Sequence, residues 1–416
     1  MLKPYTAPDT SYKETHGSRC SLFKRVVKMI NILFFVLILV SCSVTDSVDG
    51  IKTIIKEELE LESHMKIVNK PPIKSINTKF GDIVDCIDIN KQSSFDHPLL
   101  KNHKLQRKPS FQKSIEKTGA KNSSTRFKVL LEKYSCPTGT VPIRRTTKED
   151  LIRAKSLFNY HMLTKDHPGT HGAEVILTSK TSSYTGVSGD TSLWNPKVEK
   201  DQISAAYLWV QNGPVETNNR IVVGWHVAPQ LYGDNATHVY AAWTSDNFKK
   251  TGCYNYHCPG FVQTDDQIHL GTRAEETSVY GGDIYEVSIA IIQDSMTKNW
   301  WLNMENRSVG YFPAALFSNM AKADQVGWGG RTNTPAGTRS PPMGSGAFPD
   351  NNFVHACYFR HVYFKNTTEE SYGPQIYQTQ TFTDKPECYG VEYYGDQGKD
   401  VDYSLQFGGP GGNCGD

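Results

Sequence analysis

The chain has 416 residues, enough for a leader and two folded units, and 38% hydrophobic content with 11% aromatics supplies a core of ordinary size. With 33 glycines and 21 prolines it favours many turns over long helices, and so β structure. Against 45 basic side chains stand 43 acidic ones, and the net charge of +2 excludes a whole-chain field that would gather nucleic acid or an anionic membrane.

Residues Ile30 to Val40 form the only long apolar run, preceded by Lys24, Arg25 and Lys28 and followed by Ser41, Cys42 and Ser43. The run falls short of the roughly 20 residues that span a bilayer. It fits the apolar part of a cleaved secretory signal within residues 1–43, with Met29 as an alternative start and a signal anchor as the other reading. Cleavage leaves no membrane anchor and removes Cys20 and Cys42. The remaining Cys86, Cys136, Cys253, Cys258, Cys357, Cys388 and Cys414 are odd in number, so at least one thiol stays outside any internal pair. Disulfides are the default for the others on the secretory route. Sequons at Asn122, Asn235, Asn306 and Asn366 agree with that route and with glycosylation.

Residues 44–167 read as a pro-segment with modest core potential, in which Gly81 to Ile89 alternates as a short strand would. Basic side chains crowd Lys101 to Arg145 while Gly260 to Asp294 is mildly acidic, an arrangement that favours attraction between the two parts. Leu151, Ala154, Leu157 and Phe158 recur at helical spacing, with Thr147 as N-cap and Glu149 and Asp150 in the first turn. The stretch Asp166 to Thr170 is rich in breakers and suits a linker.

From His171 to residue 416, short apolar runs alternate with turns. Strands are predicted at Ala173 to Thr178, Ile203 to Gln211, Arg220 to Val227, Thr237 to Trp243, Ile284 to Gln293, Trp300 to Met304 and Phe353 to Phe364. In the Ile284 strand, Tyr285, Val287, Ile289 and Ile291 share one face and Glu286 and Ser288 the other. One helix is expected at Ala314 to Ala323, opened by Pro313. The reading is an all-β antiparallel sandwich behind a small mixed pro-segment.

The sequence contains no Walker loop, no HExxH and no G-x-S-x-G elbow. His257 between Cys253 and Cys258 suggests zinc, but no second Cys/His pair of matching spacing follows, and a local disulfide is the better reading. No cofactor or metal is expected.

Thr251 to Asn255 followed by Cys258 to Thr264 resembles the most recognisable segment of the neprosin family of plant secreted proteins. Gly224-Trp225, Leu231 to Asp234, Trp300-Trp301, Val309 to Tyr311, Trp328 to Gly330 and Met343 to Gly346 resemble further family segments in the family's order. Asp85 to Leu100 and Cys136 to Arg145 resemble its activation segment. The resemblance implies a glutamic endopeptidase that cleaves after proline at acidic pH, secreted to the apoplast, with an activation segment released by cleavage. It also implies two catalytic glutamates, one two residues before Gly-Trp and one directly after Gly-Gly.

Those two positions hold Val222 and Arg331. Valine transfers no proton and arginine stays protonated, so neither serves as general acid or base. The expectation is a catalytically degenerate relative that keeps a peptide-binding cleft for proline-rich peptides or cell-wall proteins. An active peptidase using another carboxylate and a cell-wall glycan binder are the alternatives. His226 lies about 13 Å along the strand from Val222, too far to replace it in place. Trp225, His226, Trp243 and Arg331 are the candidate cleft residues, with Arg331 expected at the cleft edge after a Trp-Gly-Gly turn. The expected disulfides are Cys86 with Cys136, Cys253 with Cys258 and Cys388 with Cys414, leaving Cys357 as a buried thiol.

Overall fold

From Lys74 onward the described residues fold mainly as β-strands. The computed structural model describes residues 25–26, 28–29, 55–111, 127–128, 131, 133–159, 168–178 and 183–415. The apolar leader run, Cys20, Cys42, Asn122 and the linker residues Asp166 and His167 lie outside the described residues, as do the side chains of Leu157 and Phe158. Residues 1–62 and residues 63–416 are two units, and residues 55–62 of the first are helical.

Within the second unit, strands β1 (Lys74–Asn77), β2 (Ile83–Asp88) and β4 (Thr140–Arg144) form a small antiparallel sheet, tied by the disulfide Cys86–Cys136. A two-residue strand, β3 (Phe127–Lys128), lies between β2 and β4 in the chain. Asp85 accepts from Arg145 Nη2 at 2.6 Å and Arg145 Nε at 2.7 Å, which closes the strand ends. Helix α1 (Lys148–Asn159) starts where expected because Thr147 and Asp150 cap each other. Asp150 N donates to Thr147 Oγ1 at 3.1 Å, and Thr147 N donates to Asp150 Oδ2 at 2.8 Å.

The remaining strands are β5 (Thr170–Thr178), β6 (Tyr184–Ser192), β7 (Ile203–Asn212), β8 (Asn219–Val227), β9 (Thr237–Thr244), β10 (Cys253–Tyr254), β11 (Val262–Gln263), β12 (Ile284–Gln293), β13 (Trp300–Met304) and β14 (Arg307–Phe312). They continue with β15 (Gln325–Asn333), β16 (Cys357–Asn366), β17 (Ser371–Tyr372), β18 (Thr379–Thr383), β19 (Gly390–Asp396) and β20 (Tyr403–Gly408). One sheet has seven strands in the order β10-β9-β8-β7-β15-β5-β18. The other has ten, with β11-β14-β13-β12-β6-β16-β20-β19 as its path and β17 and β3 paired at its sides.

The two sheets pack face to face over one large apolar core that takes Ile221, Val223 and Trp225 from β8, Trp328 from β15, Val187 from β6, Phe359 from β16 and Phe407 from β20. Two indoles pin the layers together. Trp225 Nε1 donates to Ser192 O at 2.9 Å and Trp328 Nε1 to Ser188 O at 3.0 Å, so both buried N–H groups reach β6 in the opposite sheet. In β12, Val287, Ile289 and Ile291 face this core and Tyr285 packs against it, while Glu286 is buried on the other face beneath Arg360.

Residues between Gln92 and Phe111 are stitched to the edge of the ten-stranded sheet. Gln92 exchanges two 2.8 Å hydrogen bonds with the backbone of Gln263, and Asp294 accepts from Gln106 Nε2 at 2.8 Å and Ser110 N at 2.7 Å. Phe95, Leu105 and Phe111 pack on Trp301 and Tyr311. These contacts at Asp294 come from neutral amide donors, and the ion pairs of Arg144 and Arg145 go to Asp82, Asp85 and Asp150 rather than to the acidic stretch.

No helix forms at Ala314 to Ala323. Ala314–Leu316 is a single 3-10 turn after an extended Pro313. The carbonyl of Met320 accepts from Trp300 Nε1 at 2.9 Å and Gln293 Nε2 at 3.2 Å, which takes it away from a helical ladder. The sequons at Asn235 and Asn306 are exposed and that at Asn366 is half-buried.

Disulfides also join Cys253 to Cys258 and Cys388 to Cys414. Cys357 is free and fully buried, and burial pushes its thiol up to about 12. Iodoacetamide is expected to leave Cys357 unmodified in the native chain and to label it after unfolding, while non-reducing peptide maps link Cys86 to Cys136. Native-state labelling of Cys357, or a link from Cys86 to a sandwich cysteine, contradicts this arrangement.

Candidate functional site

Strand register decides which side chains meet on the outer face of the seven-stranded sheet. Three rows cross β5, β15, β7, β8 and β9. One joins Ile176, Gly327, Trp209, Val222 and Ala242; the next joins Glu174, Gly329, Tyr207, Gly224 and Tyr240; the third joins Gly172, Arg331, Ala205, His226 and His238. Val222 and Arg331 thus share this face, separated by one strand and two rows. Both line one recess, whose walls include Tyr207, Arg220, His226 and Tyr254.

The β7 sequence explains the aromatic floor. Ala206, Leu208 and Val210 enter the core between the sheets, so Ala205, Tyr207 and Trp209 emerge outside. Gly327 makes room for Trp209, since a Cβ there would stand 2.7 Å from the indole ring. Arg220, two residues before Val222, lies over that ring with its guanidinium carbon 4.5 Å from the centroid.

A buried charge cluster occupies this floor. Glu174 has no exposed surface, and Tyr207 Oη donates to its Oε1 at 2.5 Å. Arg220 Nη2 stands 3.7 Å from the same oxygen. Arg331, 8% exposed, has its guanidinium carbon 5.8 Å from the Tyr207 centroid. Burial pulls the Arg331 pKa down, but Tyr207 and Glu174 more than offset it and the net shift is upward. For Arg220 burial wins, Glu174 offsetting only part of it, and the net shift is downward. Both remain charged at any working pH.

His226 completes the floor as a neutral ring. It stacks on Tyr240 with centroids 4.0 Å apart and planes 3° from parallel. Tyr232 Oη accepts from Asn255 Nδ2 at 3.0 Å, which leaves its own proton for His226 Nε2 at 2.8 Å.

Beside Arg331, toward β18, a second recess includes Glu174, Phe382 and Asp384. Asp384 accepts from His171 Nδ1 at 2.7 Å and from Gly172 N at 2.8 Å. Burial raises its pKa, yet those two bonds hold it below the usual carboxylate value overall.

Three expectations change. Trp225 and Trp243 are not cleft residues: one residue of offset along β8 and β9 sends both into the core between the sheets, at 0% and 4% exposure. Trp300 and Trp301 are likewise fully buried. Arg331 is not at an edge after a turn, because Gly329 and Gly330 lie within β15 and Arg331 sits in the floor. Asp234 bonds His238 Nε2 at 3.1 Å outside the recess. Glu174, Tyr207 and Arg220 escaped the sequence reading. For Arg220 the available signal was parity, since it lies two residues from Val222 on one strand.

Among the described residues, no group of His, Cys, Asp and Glu is placed to hold a metal ion, and no helix is long and apolar enough to cross a membrane.

The family model described as Neprosin matches residues 200–410, just over half of the chain, and the one described as Neprosin activation peptide matches residues 75–188. Among solved structures, scytalido-glutamic peptidase with a peptide-based transition-state analog is 13% identical, with a TM-score of 0.32 over 58% of this chain and 98% of that one. SCP-B, a member of the Eqolisin family of peptidases in complex with a tripeptide, is 11% identical, with a TM-score of 0.31 over 58% and 98%. CG-16, a homodimeric agglutinin from chicken liver, is 13% identical, with a TM-score of 0.22 over 39% and 96%.

Burial drives the His226 pKa well below its ordinary value, helped by His238, and burial likewise holds His257 and His269 at about 4. The unfolded chain then binds more protons than the native one as pH falls below about 6.5, so stability is complete above that value and is lost toward the folded values. His226→Gln is expected to flatten this loss, by up to about 1.4 kcal/mol for each pH unit that the removed group accounts for. Urea unfolding between pH 7 and 4 measures it, and parallel curves for the two proteins would contradict the assignment.

Proposed function

The chain belongs to the neprosin family, and from that premise we propose that it is a secreted, catalytically degenerate member that binds proline-containing peptides or wall proteins without cutting them. The observation that carries this reading is the pair Val222 and Arg331, which line one recess at the two positions where the family pattern has glutamates. Peptide hydrolysis by two carboxyls needs one ionised group to draw a proton from water and one protonated group to polarise the carbonyl. A valine and a guanidinium supply neither.

Glu174 and Asp384 favour a second reading, an acid peptidase with a displaced carboxyl pair, because both line the recess beside Arg331. Their partners weigh against it. Tyr207 donates to Glu174 with Arg220 close by, which commits that carboxyl to the floor, and two donors hold Asp384 below the usual carboxylate value, so Asp384 is not poised as the protonated partner.

Digestion of a proline-containing peptide library at acid pH, followed by mass spectrometry, tests the proposal. The unmodified protein is expected to return the peptides intact. Val222→Glu together with Arg331→Glu is expected to bring cleavage above background while each single change does not, since groups that act as a unit are non-additive. Cleavage after proline by the unmodified chain refutes the proposal, and loss of that cleavage in Glu174→Gln would assign it to the displaced pair.

A further inference from the structure

Arg220 is 5% exposed, lines the cleft recess, and its Nε has no hydrogen-bond partner. Its approach to Glu174 Oε1, at 3.7 Å, is beyond hydrogen-bond reach, and that oxygen already accepts from Tyr207. The guanidinium is held instead by the face of Trp209. Buried polar groups in folded proteins are nearly always hydrogen-bonded, and a buried cation without an acceptor is costly.

Arg220 and Arg331 bring two positive charges, and Glu174 and Asp384, in the adjoining recess that Arg331 also lines, bring negative ones that both lie on the Arg331 side. The other titratable walls add none, because burial keeps Tyr207, Tyr240, Tyr254 and His226 in their neutral forms. Arg220 stands in a small space bounded by rings, with no acceptor on its Nε. A planar guanidinium presents parallel N–H groups that match the two oxygens of a carboxylate.

We infer that this recess is a carboxylate subsite, in which Arg220, beside Arg331, takes the terminal carboxylate of a peptide or of a small organic acid. The stacked rings of His226 and Tyr240 border it and accommodate the apolar part of the group that carries the charge. Ligand entry supplies the acceptor that Arg220 lacks. For the peptide source, the inference rests on the peptide-binding reading; for the small acid, it does not.

Calorimetry on the full chain with a proline-containing hexapeptide, its C-terminal amide and sodium acetate separates these cases. The free acid is expected to bind at least about ten-fold more tightly than the amide, the order of one charge-assisted hydrogen bond. Arg220→Gln is expected to erase that difference and Arg220→Lys to restore it only in part. Acetate is expected to raise the melting temperature of the parent chain above a sodium chloride control of equal ionic strength. If Arg220→Gln fails to fold, the 15Nε resonance of Arg220 in the parent chain carries the test and should shift with acetate. Equal affinity for acid and amide, with no response to acetate, overturns the subsite. An acetate response without any peptide binding keeps the subsite and removes the peptide-binding reading.

Discussion

Glu174 holds a carboxylate with no exposed surface between the hydroxyl of Tyr207 and the fields of two buried arginines, and the outer face of the seven-stranded sheet depends on it. Buried charges are stable only when compensated and hydrogen-bonded. An arginine at position 331, in the middle of a sheet, needs a counter-charge within the same layer. Register provides one, because Glu174 stands opposite Gly329 on the neighbouring strand, one row from Arg331. A carboxylate is therefore present on this face with a structural task.

That arrangement changes what the cleft can do. Where the family pattern places two acids for proton transfer, this floor has an apolar side chain and a fixed cation. Its polar chemistry is recognition of charge by donors, while the aromatic walls formed by Tyr207, Trp209, Tyr240 and Tyr254 remain suited to apolar or proline-bearing segments. In the inferred subsite, Arg220 then selects among such segments by what they end in.

Much of the sandwich was legible because its central strands obey a period of two. Ile284–Gln293 and Trp300–Met304 match their predicted limits, and Ile203–Asn212 and Asn219–Val227 differ from theirs by one residue at an end. Tyr184–Ser192 and Gln325–Asn333 were not legible, since threonines, serines and glycines give no apolar alternation; their strand character comes from partners on both sides. The positions of Val222 and Arg331 followed from motif order. Trp225 did not, because an indole flanked by Gly224 and His226 reads as a groove residue until register assigns its face. Glu174 was invisible for a different reason: its role exists only across strands β5, β15, β7 and β8, far apart in sequence.

A double-mutant cycle on Glu174→Gln and Arg220→Gln, read by urea unfolding at neutral pH, tests the charge-compensated floor most directly. Removing one member of a buried ion pair costs about 3–5 kcal/mol, and the account predicts that the double variant loses less than the sum of the single losses by at least about 1 kcal/mol. Additivity within roughly 0.5 kcal/mol would show that Glu174 does not compensate Arg220, and would contradict the account of how this cleft is held.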